Sequence, residues 1–164
     1  MILVALGANL ESAAGPPAVT LVAALGAMFA QRIRVLKVSP FYRTPAWPDP
    51  SDPPFVNAVA LVQTPLGPPG LLQALHGIEA AFGRERSRPN APRTLDLDLI
   101  DYDGRVEDGP PLLPHPRVTA RAFVLRPLAD VAPGWTHPVT RQSVAALLAA
   151  LPEAERLSAE RMSS

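Results

Sequence analysis

The sequence predicts an α+β fold, a ferredoxin-like antiparallel sheet of β-α-β-β-α-β order with helices packed on it and extra C-terminal helices. Three observations predict it. Short alternating or β-branched runs recur at residues 2–6, 33–38, 55–63 and 94–102. Two stretches of helical apolar spacing, each opened by a Pro-Pro pair, lie between them. No repeat or linker divides the 164 residues, so a single domain spanning 1–164 is expected.

Residues 2–6 form a short apolar run ended by Gly7, the signature of a buried strand, and Gly-Ala-Asn-Leu follows as a turn. Residues 18–30 place Val19, Val22, Leu25 and Phe29 at helical spacing after Pro16 and Pro17. Residues 33–38 alternate as a half-buried strand. Residues 44–54 carry too many prolines for a helix or a ladder and predict an extended surface loop. A strand follows at 55–63. Pro68 and Pro69 then open a second helix, with Leu72, Leu75, Ile78, Glu79 and Phe82 near one side and Gly83 as its stop. Asp103-Gly104 marks a turn. Residues 110–116 read as another proline-rich loop. Residues 123–128 read as a short strand or a turn into a short helix, 144–151 as a small amphipathic helix, and the tail from Ser158 as frayed.

Composition narrows the function. Fifteen basic residues balance fifteen acidic ones, which argues against binding to nucleic acid or anionic lipid through bulk charge. Anion binding must come from local clustering, and Arg84, Arg86, Arg88 and Arg93 supply it with only Glu85 as counter-charge. The absence of cysteine excludes thiolate nucleophiles and Cys-ligated zinc. No stretch has the pattern of a secretion signal or a membrane span, so a cytoplasmic protein without a membrane partner is expected. Neither phosphate-loop nor dinucleotide glycine motifs are present, and there is no Ser-His-Asp signature.

The segment Arg93-Thr94-Leu95-Asp96-Leu97-Asp98-Leu99-Ile100 carries most of the chemistry. Side chains two apart on a strand share a face, so Asp96 and Asp98 project together while three leucines anchor the other face. Two such carboxylates repel and are costly to desolvate, and a divalent cation removes that cost. Mg²⁺, which takes carboxylate oxygens together with water and substrate phosphates, fits the pair. Alone, Asp-x-Asp reads more readily as solvent-facing strand surface. Aspartate is depleted in strands, however, and the adjacent arginines are donors shaped for phosphate. For any single arginine, a solvated loop or an ion pair with Glu85, Asp96 or Asp98 is an equal alternative. His115, between two prolines with Arg117 and Arg121 nearby, is by itself more often structural than a phosphate contact. Phe55 and Phe123 are more often core residues than ligand stackers. Asn57 is unexpected in a strand, and an amide beside aromatic faces suits a flat polar heterocycle.

Five blocks, in order, resemble the 6-hydroxymethyl-7,8-dihydropterin pyrophosphokinase family. They are Leu6-Gly7-Ala8-Asn9-Leu10; Ser39-Pro40-Phe41-Tyr42-Arg43-Thr44-Pro45; Phe55-Val56-Asn57-Ala58; Pro92-Arg93-Thr94-Leu95-Asp96-Leu97-Asp98; and Pro114-His115-Pro116-Arg117 continuing through Arg121-Ala122-Phe123-Val124-Leu125-Arg126-Pro127-Leu128. The resemblance implies transfer of diphosphate from ATP to the pterin alcohol, whose hydroxyl attacks the β-phosphorus and releases AMP. It implies a catalytic set of Arg84, Arg93, Asp96 and Asp98, with Asp96 and Asp98 holding two Mg²⁺ ions. Phe55 and Phe123 would sandwich the pterin, Asn57 would bond its edge, and Thr44, Pro45 and Trp47 would line its pocket. His76, Arg84, Arg86, Arg93, His115 and Arg121 would surround ATP. Loops before Phe55 and before Arg93 would close over the substrates, and a monomer is expected.

This chain departs from the family pattern at His76, where glutamine is expected, and at Pro48, where glycine is common. The loop Arg88-Pro89-Asn90-Ala91 is one residue shorter than in the family's best-known member and lacks the tryptophan found there. Two alternatives stand beside this reading. One is a catalytically inert ferredoxin-like module that binds a small ligand or RNA, although an RNP-type aromatic strand motif is missing. The other is a phosphoryl transferase with a different acceptor.

Overall fold

The computed structural model describes residues 1–85 and 91–163. Its elements run β1 (Ile2–Ala8), α1 (Pro17–Ala30), β2 (Arg34–Val38), β3 (Tyr42–Thr44), β4 (Phe55–Gln63), α2 (Pro68–Ala81), β5 (Asp96–Tyr102), β6 (Glu107–Asp108), β7 (Leu112–Leu113), α3 (Ala122–Val131), α4 (Val144–Ala150), α5 (Glu153–Ser158) and β8 (Glu160–Arg161). The fold is mixed α/β. The main sheet has six strands in the order β5-β1-β4-β3-β8, with β2 also paired to β4, and its pairings are antiparallel.

Alternation along the three central strands divides the molecule into two cores. Ile2, Val4 and Leu6 of β1, Ala58, Ala60 and Val62 of β4, and Leu97 and Leu99 of β5 share one core with Leu21, Ala24 and Met28 of α1 and Leu71, Leu75 and Ile78 of α2. Leu3, Val59 and Ile100, one residue out of phase, pack instead with Leu125 and Leu128 of α3, Leu147 of α4 and Trp135. A one-residue slip of β5 would bury Asp96 and Asp98 under α2 and expose Leu97 and Leu99. Burial of such leucines is worth about 1.5–3 kcal/mol each, so the register is strongly specified. A register shift between Leu3 and Val4 opposite β5 resets the phase. Beyond it Asp101, buried, accepts a hydrogen bond from Trp135 Nε1 at 2.8 Å, while Tyr102 returns to the first core.

Several elements differ from expectation. β1 continues through Gly7 to Ala8, so these residues belong to the strand and not to a turn. Helix α1 buries Thr20, Leu21, Ala24 and Met28, whereas Val19, Val22 and Phe29 are exposed. Its sequence is apolar nearly all round, so periodicity could not say which side faces the sheet. The strand β3 was not foreseen, because three residues beside a proline-rich loop carry almost no periodic signal. The loop at 110–116 contains the two-residue strand β7, paired with β6. Residues 123–128 belong to a ten-residue helix that accommodates Pro127. The tail is not frayed at Ser158, because β8 pairs with β3 and the Met162 N–H donates to the Phe41 carbonyl at 2.8 Å. The Pro68 start of α2, the positive φ of Gly83 and the turn at Asp103-Gly104 agree with the sequence reading.

One buried charge braces the sheet against α2. Glu79 is 2 % exposed, and its Oε2 accepts from the Leu97 N–H at 2.9 Å and from Arg84 Nη1 at 2.8 Å. Leu97 lies between the two aspartates, so a helix carboxylate holds the strand at the point where both emerge. Breaking a buried pair leaves an uncompensated charge, so Glu79→Ala is expected to cost about 3–5 kcal/mol. Glu79→Gln, which keeps an oxygen for the Leu97 N–H, is expected to cost less. Urea unfolding reads both, and an unchanged midpoint for Glu79→Ala would contradict the bracing role.

Candidate active site

The central strand β1 sets the floor of the site through its small residues. Gly7 lies between Asn57 of β4 and Asp96 of β5, and Ala5 lies between Val59 and Asp98. All of these but Val59 line a cleft of 590 Å³ on the α3 face of the sheet. A Cβ on Gly7 would sit 2.9 Å from Asn57 Oδ1, so glycine is required for the carboxamide to lie against the strand. The Asn57 Nδ2 donates to Thr44 Oγ1 at 2.9 Å, which leaves Oδ1 as the acceptor. Both residues are buried, and β3 pairs Thr44 with Phe55 at the same end of the sheet.

Asp96 and Asp98 point to the same flank of β5 and both line the cleft. Asp96 is already engaged. It accepts from Arg84 Nη1 on one oxygen and from Arg93 Nη1, at 2.9 Å, on the other. Burial first, then the neighbouring Asp96 and Glu79 carboxylates, push the Asp98 pKa up to about 7. Arg84 is pulled down by burial, but Asp96 and Glu79 more than offset this and leave its pKa above the ordinary guanidinium value. Its buried Nε has no hydrogen-bond partner among the described residues, so one donor remains available for an anion.

The far wall comes from the segment before α3 and from its first turn. Burial, with Arg117 and Arg121 adding to it, lowers the His115 pKa, so its imidazole is neutral near pH 7. Its Nδ1 accepts from the Arg117 N–H at 3.2 Å. Arg121 lies over both Phe123 and Trp47, with its guanidinium carbon 5.3 and 6.0 Å from the two ring centroids. Arg93 lies 5.5 Å from the Phe55 centroid. Each of these two phenyl rings thus has one guanidinium over it. Trp47 is 63 % exposed and forms part of the rim.

The structure therefore gathers Thr44, Pro45, Trp47, Phe55, Asn57, Arg84, Arg93, Asp96, Asp98, His115, Arg121 and Phe123 around one cleft. It does not bring His76 there. That residue is exposed on α2, whose buried side is formed by Leu71, Leu75, Ile78 and Glu79, and it is not among the cleft-lining residues. Arg86 and Arg88 lie outside the described residues. Sequence reasoning missed the use of Glu79, which looked like one more residue on a helix face, and the small floor residue Ala5. It quoted Asn9 only within a motif. In the structure the Asn9 Oδ1 accepts from the Arg93 N–H at 2.8 Å and its Nδ2 donates to the Pro53 carbonyl at 3.0 Å, tying two loops to the end of β1.

Comparison with known proteins places this arrangement. Residues 3–133 match the model of the 7,8-dihydro-6-hydroxymethylpterin-pyrophosphokinase family. The chain is 48 % identical over 102 residues to the 2-amino-4-hydroxy-6-hydroxymethyldihydropteridine pyrophosphokinase of Methylorubrum extorquens, a match that covers 62 % of this chain and 65 % of that protein. It is 43 % identical over 153 residues to the protein of the same name from Pseudomonas aeruginosa, covering 91 % of this chain and 90 % of the relative. The crystal structure of wild-type Plasmodium falciparum HPPK-DHPS superposes with a TM-score of 0.66 at 14 % identity, over 89 % of this chain and 43 % of that one, which speaks to the fold alone. The family match over most of the length, on a chain whose cleft gathers paired carboxylates, arginines and aromatic faces, has one conclusion: the chain belongs to the 7,8-dihydro-6-hydroxymethylpterin-pyrophosphokinase family.

Proposed function

We propose that this chain transfers diphosphate from ATP to 6-hydroxymethyl-7,8-dihydropterin, giving AMP and the pterin diphosphate, a step of folate biosynthesis, and that it does so with Mg²⁺ held at Asp96 and Asp98. The observation that carries the reading is the two-ended character of the cleft. One end pairs two carboxylates with permanent cations; the other pairs aromatic faces with a fixed carboxamide. Family membership and the names of the relatives support it.

The residues fit a divalent cation. Asp98 is held near a pKa of about 7 by burial and by Asp96, and a dication reverses both penalties. Among the described residues no group of three or more His, Asp or Glu forms a cage, so the cation would complete its shell with water and phosphate. Asp96 and Asp98 would hold the two Mg²⁺ ions, whose chemistry there would be neutralisation of the polyphosphate charge. The protein's own part is exchange and alignment. Arg84 and Arg93, paired with Asp96, are placed to exchange that carboxylate for phosphate oxygens of similar geometry. Arg121 and the neutral His115 add donors from the opposite wall. Phe55 and Phe123 take the flat ring, while Asn57, fixed by Thr44, presents its carbonyl to a ring N–H. Holding the hydroxymethyl group and the β-phosphorus in line supplies most of what phosphoryl transfer needs.

We also read the sheet as ferredoxin-like; the antiparallel order β5-β1-β4-β2 among the four longest strands supports this. Use of ATP supports a cytoplasmic location, and no helix among the described residues is long and apolar enough to cross a membrane.

The direct test is product analysis with ATP, Mg²⁺ and the pterin alcohol. AMP is expected; ADP would mean ordinary phosphorylation of an acceptor and would overturn diphosphate transfer. Asp96→Ala and Asp98→Ala are each expected to cut AMP formation at least about a hundredfold with folding retained on circular dichroism. Full turnover by the double variant would end the proposal. Thermal melting is expected to shift upward with Mg²⁺ and a non-hydrolysable ATP analogue together, by linkage worth about 2.7 kcal/mol at a hundredfold excess over Kd. The analogue without metal is expected to give a much smaller shift.

A further inference from the structure

The family match ends at residue 133, yet the chain continues through α4, α5 and β8, and that continuation reaches back to the cleft. Helix α3 begins without help from its own sequence. Arg121 occupies its N-cap without a side-chain cap, and the first turn holds no acidic residue. The missing acceptor arrives from α5, where Glu155 Oε1 receives the Ala122 N–H at 3.0 Å. Ala122 is flanked by Arg121 and Phe123, the two residues that supply the guanidinium and the ring on this side of the cleft.

The same segment is anchored on its other side. Arg126 Nη1 donates to the Ala159 carbonyl at 2.8 Å, and the guanidinium carbon lies 5.5 Å from the Tyr42 ring centroid. β8 pairs Glu160 with Arg43 and Arg161 with Tyr42, immediately before Thr44 enters the site. Residues 153–162 thus strap α3 to β3, the two elements that carry Phe123 and Thr44.

We propose that Glu155 is a positioning residue for the substrate cleft, capping the first turn of α3 so that Arg121 and Phe123 face the ligand in a fixed orientation. A carboxylate at this end of a helix satisfies an orphan N–H and complements the helix dipole. Its charge also acts on Arg121, whose pKa is lowered first by burial and by Arg117 and raised in part by Glu155. Glu155 touches no reacting atom in this account. Its effect falls on ground-state binding, of the ring through Phe123 and of the nucleotide through Arg121, and in that respect the inference rests on the proposed activity.

The test uses the full chain with Glu155→Ala, Glu155→Gln and, as a control on the same helix, Glu153→Ala. Hydrogen exchange of the ligand-free protein is read first. Glu155→Ala is expected to speed exchange at residues 122–125 about fivefold, the size of a lost helix cap. Glu155→Gln, with an amide oxygen in place, and Glu153→Ala are expected to stay near wild type. Steady-state kinetics are read second. Glu155→Ala is expected to raise KM for the pterin alcohol about fivefold with kcat within about twofold of wild type, and Glu155→Gln to restore KM. Unchanged exchange at 122–125 in Glu155→Ala overturns the proposal. So does a Glu155→Gln variant indistinguishable from Glu155→Ala, or a common fall in kcat across all three variants. Wild-type protein that forms no AMP while the exchange pattern appears as expected defeats the functional reading and leaves the capping of Arg121 and Phe123 standing.

Discussion

Two carboxylates on one flank of a strand repel each other unless something of opposite sign stands between or beside them, and the cleft is organised by that requirement. Asp96 meets it with Arg84 and Arg93. Asp98 meets it only in part, as its raised pKa records. The buried Glu79 holds both the strand and one of the arginines in place. In the proposed activity these charges redistribute when a polyphosphate and cations bind, since each guanidinium can exchange a carboxylate for a phosphate of similar geometry.

This arrangement depends on residues with no chemistry of their own. Leu95, Leu97 and Leu99 are buried on the opposite flank and fix which way the aspartates face. Ala5 and Gly7 keep the floor low between the two ends of the cleft. The shift in register farther along β1 sends Asp101 to Trp135, where it serves the second core and not the cleft. Three aspartates within one strand thus have three surroundings: Asp96 between two guanidiniums, Asp98 buried beside Asp96 and Glu79, and Asp101, beyond the shift, bonded to Trp135.

Much of the site was legible in the sequence because its signals are local. The Asp96–Asp98 alternation, the helix from Pro68 and its Gly83 stop each need only a few neighbouring residues to interpret. The parts that were not legible depend on contacts between distant segments. Glu79 acquires its use only when α2 lies on β5, and Glu155 only when the C-terminal strap crosses α3. β3 and β8 are two or three residues long and exist because they pair with one another and with β4. Which face of α1 packs on the sheet was not legible, because a helix with almost no polar residue offers no contrast from which to choose a side.

Central to the proposed activity is the binding, by Asp96 and Asp98 together, of the cation that holds the nucleotide. Anomalous diffraction from crystals grown with Mn²⁺ in place of Mg²⁺ and a non-hydrolysable ATP analogue measures this directly. Mn²⁺ peaks are expected within bonding distance of both carboxylates and of phosphate oxygens, with Arg84 and Arg93 turned from Asp96 to the polyphosphate. Nucleotide bound with no peak at the pair, and both arginines still clamped on Asp96, would contradict it.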